Sequence, residues 1–314
     1  DHPVVAFFLQ AGKKKNFRHT GLAQSEKRGK HAQGFPHAEL IHKPGFLQRH
    51  PDLPPQSDTG DDVTVAGRIV GIRRLGKLTF VVLREGGVDL QLFCPRAALD
   101  EPSRALLARL DVGDWLGAHG EVVSTKTGEL SVRPATLTLL SKGLRPLPDK
   151  WHGLSDTEAR FRQREVDLVV NAEARRVFEL RSRVLKALRA ELDERGYVEV
   201  ETPMLHPIPG GAAARPFVTH HNALDADLYL RIAPELYLKR LIAGGMRRVY
   251  EINRNFRNEG MSTRHNPEFT MLESYEAYAD YHDVMALTEA LVARAAEAAL
   301  GTTSVSYQGR QVSL

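Results

Sequence analysis

The chain has 314 residues, of which 42% are hydrophobic and 26% are charged, a composition typical of a globular protein with room for two domains. No apolar run approaches the roughly 20 residues that a membrane-spanning helix needs, and the single cysteine, Cys94, excludes an internal disulfide. The first apolar stretch precedes the first lysines, which is the wrong order for a secretory signal. We therefore expect a cytoplasmic protein with no membrane partner.

Basic charge is concentrated at the start of the chain. The first 50 residues contain nine Lys and Arg against three Asp and Glu, whereas the whole chain has a net charge of only +4. We predict that residues 1–60 form a basic, disordered tail that ends in a linker, HPDLPPQSDTGDD. A basic arm that contacts RNA phosphates is the alternative.

Five short β-rich segments follow, separated by turns that contain glycine, and they predict a small barrel over residues 61–142. The segments are VTVAGRIVGIRR, KLTFVVLRE, VDLQLFC, WLGAHGEVVST and ELSVRPATLTLL. A helix, PSRALLARL, is predicted between the third and fourth strands. This arrangement is typical of an OB-fold, and a short SH3-like barrel is the alternative.

A second domain of mixed helices and antiparallel strands is predicted for residues 171–314, after a linker over residues 143–170. Its first helix should end at Gly196 and have one apolar face, formed by Val177, Leu180, Val184, Leu188 and Leu192. The segment YVEVETPML alternates apolar and acidic residues, which predicts a strand that Pro203 ends. Two further helices, PELYLKRLIAG and DYHDVMALTEALVARAAEAAL, and a final strand pair in SVSYQGRQVSL complete the domain.

The segment NFRNEGMSTRHNPEF, residues 255–269, joins two predicted strands into a hairpin with a polar face. Alternation places Asn253, Asn255, Arg257 and Glu259 on one face of the first strand. The same count in the second strand aligns Phe269, Met271, Glu273 and Tyr275. If these faces lie together, they form a binding surface whose loop could close over an anion. A charged edge hairpin that only keeps a sheet soluble is the alternative.

Two of these segments resemble known motifs. FRNEGMSTRHNPEFTMLE resembles motif 2 of the class II aminoacyl-tRNA synthetases, and GYVEVETPML, with Pro203 after a long helix, resembles their dimer-forming motif 1. The segments IPGGAAARPFVTHHNALDADLYLRIAPELYLKRLIAGG and HNPEFTMLESYEAYADY are similar to lysyl-tRNA synthetases rather than to aspartyl or asparaginyl ones. The resemblance runs from about Val63 to Leu314. It implies an α+β protein with an N-terminal OB-fold barrel and part of a class II antiparallel-sheet catalytic domain.

The resemblance also implies a reaction, in which ATP activates L-lysine to lysyl-adenylate and the lysyl group passes to the 3′ end of tRNA(Lys). It implies that Arg257 is catalytic and bridges the lysine carboxylate and the α-phosphate. Glu259 would accept a hydrogen bond from the adenine amino group, and Phe269 would stack on the adenine ring. An ion pair between Arg257 and Glu259 is the purely structural alternative. The other implied ATP contacts are Arg264 and His265 at the outer phosphates, with Asn266 ordering the turn beside them.

For lysine, the resemblance implies that Gly211 allows close approach of the backbone and that Glu235 pairs with the α-ammonium. Glu273 and Tyr275 would receive the ε-ammonium, and Arg257 the carboxylate. An aspartate or asparagine pocket would instead need a cation or an amide at those two positions. Glu235 could alternatively cap a helix, because it lies near the start of PELYLKRLIAG.

The barrel resembles the anticodon-binding domain of the same family, which implies anticodon contacts from Phe80, Gln91 and Glu129, with Arg73 at the backbone. The alternatives are that Phe80 belongs to the barrel core and that Gln91 and Glu129 are ordinary exposed strand residues.

Class II enzymes have a third motif, a glycine-rich strand with an arginine-bearing helix, which we do not find in this sequence. The resemblance implies that the ligands of the catalytic Mg²⁺ lie beyond residue 314, so we assign no metal ligand in this chain, and we expect a fragment or a misframed sequence. Two functions remain open. The first is a homodimeric lysine–tRNA ligase that requires ATP and Mg²⁺. The second is a truncated, catalytically inactive module that binds tRNA or dimerises.

Overall fold

A computed structural model describes residue 50 and residues 53–148, 154–262 and 264–314. The predicted basic tail therefore lies almost entirely outside the described residues. The chain divides into two compact units, Asp1–Leu147 and Pro148–Leu314. Among the described residues, no helix combines the length and the apolarity that crossing a membrane requires.

The first unit is a closed barrel of five strands in the order β1-β2-β3-β5-β4. Neighbouring strands are antiparallel except for β3 and β5, whose parallel pairing closes the barrel. The elements are β1 (Asp58–Leu75), β2 (Leu78–Glu85), β3 (Val88–Pro95), α1 (Glu101–Leu107), β4 (Trp115–Ser124) and β5 (Leu130–Ser141). They are the five strands and the helix that the sequence predicts, in the predicted order.

Alternate residues of these strands fill the barrel. Val81, Leu83 and Leu92 are fully buried, and Leu116 and Val132 complete the same cluster from the other strands. Each such side chain contributes about 1.5–3 kcal/mol on burial. Because side chains alternate along a strand, the residues between these positions face away from the core.

The second unit begins with two short helices, α2 (Thr157–Arg162) and α3 (Arg164–Val170), in residues assigned from the sequence to a linker. Both are organised around the buried carboxylate of Asp167, which accepts hydrogen bonds from Arg160, Arg164 and Asn171. Hydrogen bonds from Asn171 and the two arginines hold the pKa of Asp167 below its usual value. This cluster has no apolar period, so the sequence pattern does not reveal the helices.

The long helix α4 (Ala172–Glu194) ends as predicted. Gly196 has φ +77°, and the N–H of Tyr197 donates to the carbonyl of Leu192, which closes the last turn. Only part of the predicted apolar face is covered, because Leu192 is fully buried whereas Val177 is 62% exposed.

The predicted strand up to Pro203 is wrong in its length. The observed β6 (Val198–Glu199) has two residues and pairs in parallel with β10 (Arg248–Phe256). After Val200 donates to the carbonyl of Tyr250, the chain leaves the sheet. It does so because Thr202 binds the buried carboxylate of Glu251 through both its N–H and its hydroxyl group.

The rest of the unit holds the candidate site. β10 lies between β6 and β11 (Glu268–Glu276), and β7, β8 and β9 form a second small sheet in the order β7-β9-β8. A core of Leu192, Tyr197, Tyr250, Leu287 and Leu291 packs α4 and α6 on the first sheet. The remaining bounds are β7 (Leu205–His206), β8 (Val218–His221), β9 (Ala226–Leu230), α5 (Glu235–Ala243), α6 (Tyr281–Leu300), β12 (Ser304–Tyr307) and β13 (Arg310–Ser313).

Candidate functional site

The β10–β11 hairpin has the register that the sequence predicts for a polar surface. Asn255 lies opposite Phe269, and Asn253 lies opposite Met271, so the two predicted faces share one side of the sheet. Just past β10, the N–H of Arg257 donates to the carbonyl of Pro267 at 2.8 Å and extends the pairing. The guanidinium carbon of Arg257 lies 5.2 Å from the ring centroid of Phe269. The side chain predicted to hold the α-phosphate and the ring predicted to stack on adenine are therefore neighbours.

Glu259 is held by a segment that the sequence analysis did not connect with it. Its Oε1 accepts from the backbone N–H of Arg215 at 3.4 Å, and the N–H of Asn258 donates to the carbonyl of Arg215. Within the part of the chain that the structure describes, no ion pair joins Glu259 to Arg257. The structural alternative for these two residues therefore has no support here.

The loop beyond Glu259 is exposed, and Ser262 orders it. The Ser262 hydroxyl accepts from the backbone N–H groups of Arg264 and His265 at 3.2 Å, and it lies 2.8 Å from Nδ1 of His265. Among the described residues, no hydrogen bond from Asn266 takes part in this turn, although the resemblance implies that role for it. Both Arg264 and His265 are exposed, and the hydrogen bond to Ser262 holds the His265 ring in place.

The other end of the surface is formed by Gly211 and Glu235. Gly211 has φ +91°, and a Cβ atom there would lie 3.0 Å from Cβ of Glu235 and 3.3 Å from Cβ of Ala233. Only glycine fits this position, and it lies directly against the glutamate. Glu235 is the first residue of α5, after the N-cap Pro234, so it lies in the first turn, where its charge also favours the helix dipole as the alternative from the sequence expects.

A primary ammonium group already lies against Glu235. The Nζ atom of Lys239, one helical turn later, is 2.5 Å from Oε1 of Glu235 and 5.9 Å from the ring centroid of Tyr275. The hydroxyl of Tyr275 donates to Oε1 of Glu273 at 2.8 Å. The ammonium of Lys239 thus lies against Glu235 and near Tyr275, whose hydroxyl group is bound to Glu273. The sequence analysis did not single out Lys239, although its i, i+4 spacing from Glu235 on a predicted helix is a signal for this pair.

Burial and neighbouring charge shift the titration of this cluster. Burial raises the pKa of the half-buried Glu273, and the carboxylates of Glu235 and Glu251 raise it further. Burial and the hydrogen bond to Glu273 likewise raise the pKa of Tyr275. Carboxylates that raise the pKa of a neighbouring carboxyl group repel one another, and a cation bound between them would relieve that repulsion.

An ion pair missed from the sequence lies in the floor of the site. Nη1 of Arg231 is 2.8 Å from Oε1 of Glu251, and both side chains are almost completely buried. Thr202 contacts both partners, with its hydroxyl 2.6 Å from Oε2 of Glu251. Glu251 continues the alternation of Asn253 and Asn255 by one step, and this signal could have found it.

In the barrel unit, the four predicted anticodon residues line one cavity of about 810 Å³, namely Arg73, Phe80, Gln91 and Glu129. Phe80 lies between the buried Thr79 and Val81 on β2 and is itself only partly buried, so it faces outward and is not a core residue. The guanidinium carbon of Arg73 lies 4.7 Å from the centroid of the Phe80 ring.

The same cavity contains residues that the sequence analysis did not assign. The ring of Phe93 lies 5.7 Å from that of Phe80, and Nε2 of Gln91 donates to the hydroxyl of Ser131 at 3.0 Å. Phe93 is two residues after Gln91 on β3, so alternation alone places it on the same face. The outer face thus presents two aromatic rings, which is a surface suited to unpaired bases.

A family model described as tRNA synthetases class II (D, K and N) matches residues 156–312, which is half of the chain. The chain belongs to this family. A second model, described as an OB-fold nucleic acid binding domain, matches residues 63–140. The predicted fold class is thereby confirmed, and the SH3-like alternative for the barrel is wrong.

Curated relatives named lysine–tRNA ligase confirm the resemblance read from the motifs. The relative from Pelotomaculum thermopropionicum is 58% identical over 252 residues, which are 80% of this chain and 50% of the relative. The one from Xanthomonas campestris pv. campestris is 59% identical, with the same coverage of both chains. The one from Carboxydothermus hydrogenoformans is 56% identical over 80% of this chain and 52% of its own. The chain therefore spans about half the length of the curated relatives it matches.

Proposed function

We propose that this chain contributes the amino-acid pocket, part of the ATP site and the anticodon-binding barrel of a lysine–tRNA ligase. The anticodon-binding domain would occupy residues 61–142 and the catalytic domain residues 171–314. The observation that carries the proposal is the hydrogen-bonded pair of Glu273 and Tyr275, because a carboxylate and a phenol at that end of the pocket support it as a receptor for the ammonium of an amino-acid side chain. Of the D, K and N substrates that the family description names, only lysine carries such a group on its side chain.

In the proposed pocket, the α-ammonium of lysine displaces Lys239 from Glu235, while Gly211 leaves room for the backbone of the substrate. The ε-ammonium lies toward Glu273 and Tyr275. These positions leave the carboxylate of lysine directed toward Arg257, where the amino-acid and nucleotide halves of the surface meet.

In the proposed reaction, a carboxylate oxygen of lysine attacks the α-phosphorus of ATP, a new P–O bond forms, and pyrophosphate leaves with the electrons of the broken P–O bond. Arg257 holds the attacking carboxylate and the α-phosphate together and stabilises the charge that develops between them. In a second step, a ribose hydroxyl at the 3′ end of tRNA(Lys) attacks the carbonyl carbon, and AMP leaves.

For the nucleotide, Phe269 provides the ring on which adenine stacks, and Glu259 accepts from its amino group. Arg264, His265 and Asn266 lie in the loop that would hold the outer phosphates. Among the described residues, no group of three or more His, Cys, Asp or Glu side chains could hold a metal ion. The described residues therefore offer no ligand set for Mg²⁺.

In the barrel, the outer face would bind the anticodon by stacking on Phe80, with Gln91 and Glu129 hydrogen-bonding to base edges and Arg73 near the backbone. Exposed apolar residues on α4 and β6, namely Val177, Phe178 and Val198, support a homodimer in which a second copy covers them. The single cysteine, Cys94, is buried and free, which supports a reducing cytoplasm.

The test is lysine-dependent exchange of pyrophosphate into ATP, measured on the protein that contains this chain at the length of its relatives. We expect exchange with lysine and none with aspartate or asparagine, and we expect Arg257→Ala to abolish it while tRNA binding persists. Exchange with aspartate instead of lysine would refute the pocket assignment. The second candidate function, a catalytically inactive module that binds tRNA or dimerises, predicts tRNA binding without any exchange.

A further inference from the structure

The second unit contains a group of buried polar atoms without protein partners. Within the described part of the chain, five such side-chain atoms lie in this unit: Nδ1 of His206, Nη2 of Arg231, Nδ2 and Oδ1 of Asn255, and Nε of Arg257. Buried polar atoms are nearly always hydrogen-bonded, so each exception needs an explanation. Three of the four residues lie at the proposed reaction centre, in or beside β10.

Asn255 stands out among them because its whole amide group is unpartnered. The residue is 1% exposed and lies opposite Phe269 in the sheet, on the same face as Arg257 two residues later. An amide has one acceptor oxygen and two N–H donors, whichever way it is oriented. The unpartnered groups of Arg231 and Arg257 are donors only. The amide oxygen of Asn255 is therefore an unused acceptor in the same sheet face as an unused donor, the Nε–H of Arg257, and Nη2 of Arg231 is the other unpartnered arginine donor in this group.

The position of Arg257 indicates when the amide oxygen of Asn255 would be used. Its guanidinium lies over the Phe269 ring, which the proposed function assigns to adenine, so it has to turn away when ATP binds. A guanidinium that bridges a carboxylate and a phosphate with its two terminal NH₂ groups is held more rigidly when a further contact fixes its plane. The Nε–H is the one donor left over for such a contact.

We propose that Asn255 is the positioning residue of Arg257, accepting its Nε–H directly or across one buried water when the guanidinium engages the reacting groups. The role of this hydrogen bond in catalysis rests on the proposed function. The hydrogen bond itself can be tested without measuring catalytic activity. Asn255 touches neither lysine nor ATP in this scheme. It acts through Arg257, by leaving both terminal NH₂ groups free for the substrates.

If the Asn255 amide only stabilised the fold, replacing it with an apolar side chain of similar size would lower the melting temperature. If it acts on Arg257 instead, the same replacement should not lower the melting temperature. Asn255→Leu removes a buried amide that has no protein partner, so its melting temperature should be unchanged or raised by roughly 2–4 °C. Asn253 is the matched control, because its amide is already bonded to Glu251 and to the backbone of Arg254. Asn253→Leu should lower the melting temperature and leave Arg257 unaffected.

The direct readout is solvent exchange of the Arg257 Nε–H, followed by ¹⁵N–¹H NMR of the full protein bound to a non-hydrolysable lysyl-adenylate analogue. The resonance is assigned by its loss in Arg257→Lys. We expect exchange at least tenfold faster in Asn255→Leu, and protection close to wild type in Asn255→Asp, which keeps an oxygen at the same place. Equal exchange in wild type and Asn255→Leu overturns the proposal. Loss of protection in Asn255→Asp also overturns it, because the NH₂ group would then be the essential part.

Kinetics provide the second readout. In pyrophosphate exchange, Asn255→Leu should lower kcat by about 100-fold, because a displaced catalytic group costs about that much, with KM values changed less than threefold. Asn255→Asp should recover most of the loss. If the wild type shows no pyrophosphate exchange, the proposed function fails. The solvent exchange of the Arg257 Nε–H still decides the role of Asn255.

Discussion

The contact between Lys239 and Glu235 gives a quantitative prediction about substrate binding. If the α-ammonium of lysine binds Glu235, it must displace an ammonium that is already there. The variant Lys239→Met keeps the length and helix propensity of the side chain and removes its charge. Glu235 is then free before the substrate arrives, and lysine should bind more tightly.

The size of the effect follows from the exposure of the pair. The Lys239 side chain is 56% exposed and that of Glu235 is 30% exposed, with the two residues one turn apart on α5. Pairs of this kind contribute about 0.3–1 kcal/mol, because water screens them and holding both side chains has an entropic cost. Removing the competitor should therefore lower the KM for lysine by about two- to fivefold. The kcat should not change, since the pair breaks before the transition state forms.

The assay is pyrophosphate exchange at varied lysine concentration, with Lys239→Arg as the charge-retaining control. The arginine variant should keep the wild-type KM within about twofold, and the difference between Met and Arg variants should shrink at high salt. A rise in KM for Lys239→Met would refute the reasoning. It would mean that Lys239 orients Glu235 for the substrate rather than competing with it.

Three further predictions concern the barrel face, the Glu273 carboxylate and the buried Arg231–Glu251 ion pair. Phe80→Ala should weaken tRNA binding by about 1–3 kcal/mol through loss of base stacking, measured by filter binding, with pyrophosphate exchange unchanged; a parallel loss of exchange would contradict the division between the two units. Because burial raises the pKa of Glu273, its carboxylate should become protonated at a higher pH than an ordinary glutamate, so the KM for lysine should rise as the pH falls through that raised pKa. Glu273→Gln should bind lysine weakly with a flat profile, and an unchanged profile would exclude Glu273 as the titrating group. Arg231→Leu leaves the buried Glu251 carboxylate unpaired and should lower the free energy of unfolding of this unit by about 3–5 kcal/mol in urea titrations. The double variant Arg231→Leu/Glu251→Leu should recover most of that loss, and a double variant as unstable as the single one would show that packing, not charge, is responsible.

Elements with a strong local period were predictable from the sequence. The barrel strands alternate buried and outward residues, and the hairpin register follows from the same count in two strands, as the pairing of Asn255 with Phe269 shows. The end of α4 was predictable because Gly196 adopts a positive φ that other residues rarely take. In each case the residues that decide the structure are close together in sequence.

The features that could not be predicted depend on charges brought together from distant segments. The helices α2 and α3 form around Asp167, and the strand after α4 stops early because Thr202 binds Glu251, which is 49 residues away. Arg231 is 20 residues from Glu251, and the partnership of Lys239 and Glu235 with Tyr275 needs α5 to pack beside β11. Alternation shows which face a residue occupies, but it does not show which distant residue shares that face.

Both units place an arginine over a phenylalanine where the proposed function requires a base to stack. Arg73 lies 4.7 Å from the Phe80 ring centroid, and Arg257 lies 5.2 Å from that of Phe269. A cation over an aromatic face is favourable by about 0.5–1 kcal/mol at an exposed site and by about 2 kcal/mol when it is desolvated, against the 1–3 kcal/mol that a stacked base contributes. Under the proposed function, stacking alone can displace Arg73 from Phe80, whereas Arg257, whose Nε is buried, also needs the attraction of the phosphate to leave Phe269. The same proposal gives each displaced arginine the phosphate of the nucleotide as its new partner.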